Sequence, residues 1–175
     1  MNLIDANITS LRQALILIEP MDEFTFTASP ATLSPHRVGS HLRHILEFYE
    51  SFLDGLEAAY IDYDRRKRDE TIERDPAVAA MRIRSIIGRL QTAALNPEDT
   101  TVFVRMEDAP QSDHSGCLLT SSIGRELQVL SSHTIHHFAL IAVTMRSLGI
   151  NVDPDFGTAP STLRYRMAQR VAEAA

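Results

Sequence analysis

The chain has 175 residues, 44% of them apolar, which suits one domain with a proper core and argues against disorder. Lys and Arg number 17 against 23 Asp and Glu, so the net charge of −6 gives no electrostatic case for nucleic acid or an acidic membrane surface. The single cysteine, Cys117, excludes an internal disulfide and a Cys-based zinc knuckle and points to a reducing, cytoplasmic compartment.

The opening "MNLIDANITSLRQ" is too polar for a secretory leader, and no apolar run approaches the ~20 residues needed to cross a bilayer. Residues 3–19 place Leu3, Ile4, Ile8, Leu11, Leu15 and Ile18 at helical spacing, ending near Pro20. "TFTASPATLSPH" reads as a loop by composition. A second helix over 36–59 carries Val38, Leu42, Ile45, Tyr49, Phe52 and Leu56, with Leu46 and Leu53 widening the stripe. Residues 60–75 are dense in charge of both signs and read as a solvated connection. Asp75-Pro76 opens a third helix, because Asp caps and Pro suits the first helical position. That helix runs to about 94 with Val78, Met81, Ile86, Leu90 and Ala94 inward, and Asn96-Pro97 closes it.

Residues 101–107 alternate and are rich in β-branched side chains, and 116–120 is a second short apolar run. With the turn-rich "DAPQSDHS" between them they predict a short hairpin. A fourth, longest helix covers 121–148 and stops at Gly149. The tail begins as loop and ends in a short helix after Pro160, with Leu163, Met167 and Val171 on one stripe. The expectation is a single all-α domain over 1–175: a four-helix bundle, with the hairpin between the third and fourth helices and the short helix at its C-terminus.

"SSHTIHHFAL" holds three of the seven histidines. On the fourth helix His137 lies about 40–50° and His133 about 90° from the centre of the apolar stripe, while His136 falls roughly 150° away and faces out. His133 and His137 are i and i+4, so their rings stack on one edge and can converge on one cation. Glu126 lies two turns earlier on that edge, where a carboxylate can orient a ligating histidine. A third ligand is wanted, and the second helix offers His41 and His44. Periodicity favours His41, at about 70–80° from its stripe against about 130–140° for His44. His36 and His114 sit in loop contexts and read as incidental.

"HRVGSHLRHILEFYESFLDGL" resembles the second-helix signature of the DinB/YfiT-like superfamily, and "SSHTIHHFALI" is similar to its fourth-helix pattern. The resemblance implies an up-down-down-up four-helix bundle, commonly a homodimer, with a divalent metal on His44, His133 and His137. Glu47 falls on an acidic position of some relatives, so Glu47 and Glu126 are the candidate catalytic carboxylates, as general base or as partner to a ligand. Phe138-Ala139-Leu140 replaces the Arg-Gly-Gln of the family pattern, and no Trp is present.

Three neutral imidazoles leave an open position on a metal, the arrangement of a catalytic site. Zinc is the expected ion, with nickel or iron as alternatives, because all-His sites discriminate poorly. The expected function is a metal-dependent hydrolase acting through water, or a transferase acting through a thiol, on an unidentified small molecule. The competing class is a non-enzymatic dimeric scaffold, metal-binding or stress-associated. Neither class involves nucleic acid or membrane.

Overall fold

Three of the long helices start where the chain supplies its own cap. In the computed structural model, which describes residues 2–93, 100–106 and 117–173, Asn2 Oδ1 accepts from the Asp5 N–H at 2.8 Å and opens α1 (Leu3–Ile18). Asp75 Oδ1 accepts from Ala77 at 2.7 Å and from Val78 at 3.3 Å, opening α5 (Pro76–Thr92). Ser122 Oγ accepts from Arg125 at 3.2 Å and opens α6 (Ile123–Ser147). These side chains satisfy N–H groups that have no partner inside the helix.

The four long helices are α1, α3 (Val38–Gly55), α5 and α6. They touch in a ring: α1 with α5, α5 with α3, α3 with α6, and α6 with α1. Their inward stripes supply most of the core, including Leu11, Ile18, Leu42, Ile45, Phe52, Ile83, Ile86, Leu127 and Ile141. A buried polar knot ties three of them. The Tyr49 hydroxyl donates to Asn7 Oδ1 at 2.6 Å, Asn7 Nδ2 donates to the Leu127 carbonyl at 3.0 Å, and Thr134 Oγ1 lies 3.2 Å from the Tyr49 hydroxyl. Buried polar groups that find such partners also fix how helices slide against one another.

The molecule is nevertheless not the all-α four-helix bundle expected. The described residues form seven α-helices and a three-stranded mixed sheet. β2 (Thr101–Arg105) pairs antiparallel with β3 (Leu118–Ser122), with Phe103 opposite Thr120. β1 (Tyr60–Asp62) adds to the other edge of β2 in parallel, Ile61 facing Val104. Val102 and Val104 point into the core while Thr101 and Phe103 face out. Three residues are too few to show an alternating period, and the partner of β1 lies some forty positions on, so local pattern could not reveal it.

The 60–75 stretch is therefore not a solvated connection. It holds β1, the short α4 (Glu70–Arg74), and three fully buried side chains, Ile61, Tyr63 and Ile72. α4 lies directly on α3: a Cβ at Gly39 would meet the Glu73 carbonyl oxygen at 2.1 Å, so only glycine allows that approach. "TFTASPATLSPH" likewise contains part of α2 (Glu23–Thr27), with Phe26 buried, and a 3-10 turn over Ala31–Leu33. Met81, expected inward, is 59% exposed. Ala79, Ala80 and Ile83 take the inward face of α5, because Met81 lies about 200° around the helix from Ile83.

The tail returns across α6. Phe156 stacks on Phe138 with ring centres 4.6 Å apart, and Gly157 sits at φ +74 where a Cβ would strike the backbone of Ala139. The last helix, α7 (Pro160–Glu173), buries no residue. His114, Ala94, Asn96-Pro97 and the turn expected between the two hairpin strands lie outside the described residues. Among those described, no helix is long and apolar enough to cross a membrane.

Candidate metal centre

α3 packs along α6, with the Tyr49 hydroxyl 3.2 Å from Thr134 Oγ1. His44 lies five residues before Tyr49 on α3, and His133 and His137 flank Thr134 on α6, which brings His44 opposite both. Their ring centres are 4.9 Å and 4.7 Å apart respectively, and the two α6 rings are 4.6 Å apart. One ring nitrogen from each of the three lies within 4.8 Å of the others, so these residues could hold a metal ion. His137 Nε2 and His133 Nε2 are 3.0 Å apart. Two nitrogens bonded tetrahedrally to one ion at ~2.0–2.1 Å stand about 3.3 Å apart, so a few tenths of an ångström of ring movement would suit the pair to one ion.

The rings are kept neutral, as ligands must be. Burial holds His137 down to about 3, with the charges of His133, His44, His41 and His136 adding to it. Burial lowers His44 to about 4, followed by the charge of Arg66. His133 is also lowered, again by burial first and then by His136 and Arg66. Arg66 reaches the site by stacking: its guanidinium carbon is 4.4 Å above the Phe48 ring, and that ring is 4.4 Å from His133 and 4.8 Å from His44.

His41 is more buried than His44, only 7% exposed, but it stands behind His137. Its Nδ1 is 2.9 Å from His137 Nδ1, and its Nε2 is 3.1 Å from His36 Nδ1, with the His36 and His41 rings stacked. Burial, followed by the charges of His36 and His136, lowers His41 to about 4. His36, read as incidental from its loop context, is exposed just ahead of α3 and stacks on His41 five residues on. His136 is exposed, with its ring 5.3 Å from that of His137.

The two candidate carboxylates are engaged with other groups. Glu126 is buried, accepting from the Tyr63 hydroxyl at 2.8 Å and the Ser121 hydroxyl at 2.6 Å. Glu47 accepts from the Asp69 N–H at 2.7 Å, and Arg43 lies 3.7 Å from its other oxygen. Tyr63 and Arg66 carry no signal in the sequence, because both sit in the charge-dense segment with no period to mark them. Phe138 turns into the core against Phe156. A cavity of about 740 Å³ opens between α1, α2, the end of α6 and the tail, and no histidine lines it.

No family model matches the chain. A 105-residue stretch, 60% of the chain, is 36% identical to an FK506-binding protein 5 from Rhizopus delemar. The chain spans about a quarter of that relative's length, the match covering 27% of it. The DinB/YfiT-like resemblance is thereby overturned: the chain matches no such family, and the relative found bears a different name. Two short helical windows carried that resemblance. A histidine pair one turn apart recurs wherever one helix face binds a cation, so it does not identify a lineage.

Proposed function

We propose that the chain is a divalent-metal enzyme whose ion is held by His44, His133 and His137. The convergence of one nitrogen from each of these three residues carries the reading. Three neutral imidazoles from two helices form a donor set suited to zinc, with nickel or iron as alternatives, and they leave an open position. When bound, the ion would supply Lewis acidity toward a water or a thiol, which makes the activity that of a hydrolase or a thiol-dependent transferase. The chain's own part is to keep the three rings neutral by burial and to wall the site with Phe48 and Arg66. The substrate would be a small molecule.

Metal content of untagged protein, measured by mass spectrometry, tests this. One ion per chain that disappears in His137→Ala is the expected result. Substoichiometric metal indifferent to that substitution would end the reading. With metal established, ester and amide substrates against thiol and electrophile pairs divide the two reaction classes.

A non-enzymatic metal-holding scaffold is the second reading. The engagement of Glu126 by Tyr63 and Ser121, and of Glu47 by the Asp69 amide, favours it, because neither carboxylate is directed at the histidines. Stoichiometric metal without turnover in either panel would select it. A homodimer, expected only from the resemblance, is tested by sedimentation of the purified chain.

A further inference from the structure

We infer that His41 is a positioning residue which holds His137 in the tautomer that binds metal, and that His36 completes a directed line of imidazoles behind it. The inference rests on the metal reading above and adds two residues to it.

His137 presents its two nitrogens to different neighbours. Nε2 faces His133 Nε2 at 3.0 Å, and Nδ1 faces His41 Nδ1 at 2.9 Å. A neutral imidazole has one N–H and one lone pair. If the Nε2 lone pair is given to an ion, the hydrogen must sit on Nδ1, and it then donates to His41 Nδ1. His41 must therefore carry its own hydrogen on Nε2, which lies 3.1 Å from His36 Nδ1 and donates there. His36, accepting at Nδ1, carries its hydrogen on Nε2. Each junction has one donor and one acceptor, and turning any single ring would set two N–H groups or two lone pairs face to face.

Without an ion the same line can run in either direction, since His133 Nε2 and His137 Nε2 can then share a hydrogen. Metal binding selects one direction, and His41 supplies the acceptor that this direction needs. A group that accepts from the remote nitrogen of a ligating histidine fixes ring orientation and raises ligand basicity. Carboxylates commonly fill that place; here Glu126 and Glu47 are engaged elsewhere and an imidazole stands in the position.

The test titrates zinc into metal-free protein under chelator competition. His41→Phe keeps an aromatic ring and removes the acceptor, and zinc affinity is expected to fall about 10- to 100-fold. His41→Asn places an amide oxygen near the former Nδ1 and should recover most of the loss. His136→Ala, on the exposed side of α6, should bind as the parent does. Circular dichroism and urea midpoints confirm that each variant is folded. Independently of any variant, the long-range 1H–15N histidine spectrum of the zinc-loaded parent should show His137 protonated at Nδ1 and His41 at Nε2.

Affinity of folded His41→Phe within about twofold of the parent would overturn the inference while leaving the metal site standing. So would a spectrum with His41 protonated at Nδ1. Failure of the parent itself to take up zinc would instead sink the metal reading, and this inference with it.

Discussion

His137 Nε2 lies 3.0 Å from His133 Nε2, one helical turn away on the same face of α6. Neither ring is charged near neutral pH, so the pair is a ready bidentate donor and His44 closes the triangle from α3. Binding to the native state alone stabilises it by about 2.7 kcal/mol at a ligand concentration of 100 Kd. Zinc in such excess should raise the thermal midpoint by roughly 5–10 °C for a domain of this size. Differential scanning calorimetry should show that rise in the parent and lose it in His44→Ala, His133→Ala and His137→Ala. An equal rise in all four proteins would place the zinc elsewhere.

Acidity should act on the metal-free protein through the same rings. A histidine in the unfolded chain titrates near 6.5, whereas in the folded chain His137 is held at about 3 and His41 and His44 at about 4. Well above pH 6.5 the rings are neutral in both states and contribute no pH dependence. As the pH falls from 6.5 toward 4, the unfolded chain takes up protons that the folded chain refuses, so stability is lost through that window. Urea midpoints of metal-free protein should fall between pH 7 and 4.5, and the slope should flatten in a His44→Gln, His137→Gln double variant. Zinc uptake should persist well below pH 6.5, since the folded rings hold no proton to displace.

Arg66 raises the cost of positive charge at the site, lowering both His44 and His133. A cation that disfavours an imidazolium also disfavours a bound dication. Arg66→Met keeps the stem over Phe48 and removes the charge, so zinc affinity should rise roughly tenfold at low salt and the gain should shrink at high salt. A fall in affinity would show instead that the guanidinium stack supports the site by packing.

Tyr63 and Glu126 should matter to stability more than to metal. Tyr63→Phe removes a donor from a buried carboxylate and should cost about 1–3 kcal/mol in urea unfolding. Zinc affinity of the same variant should be unchanged, because the structure engages Glu126 with Tyr63 and Ser121. A variant with parental stability and weakened zinc would restore Glu126 to the role its spacing from His133 suggests.

Phe138 anchors the tail. Phe138→Ala should cost about 3–5 kcal/mol and release the segment carrying Phe156. Faster amide exchange over 150–157, with the α3 amides unaffected, would show the loss to be local.

Much of the helical framework could be read from local pattern. Asp75-Pro76 opens α5, and the Leu42, Ile45, Tyr49, Phe52 stripe of α3 is buried as its spacing requires. On α6, His133 and His137 share an edge and His136 faces solvent. These features follow from the period of one helix, a property of the chain over a dozen residues. Periodicity was also right that His41 points inward more than His44, yet inward is not the same as toward the ion. Which ring converges depends on how far α3 is slid along α6, and that is set by the packing of the two helices, in which Tyr49 meets Thr134 85 residues away. The parallel pairing of β1 with β2 and the burial of Ile61, Tyr63 and Ile72 within a charge-dense stretch are of the same kind. Each is a meeting of segments distant in the chain, so composition and spacing hold no trace of it and only the packed structure could settle it.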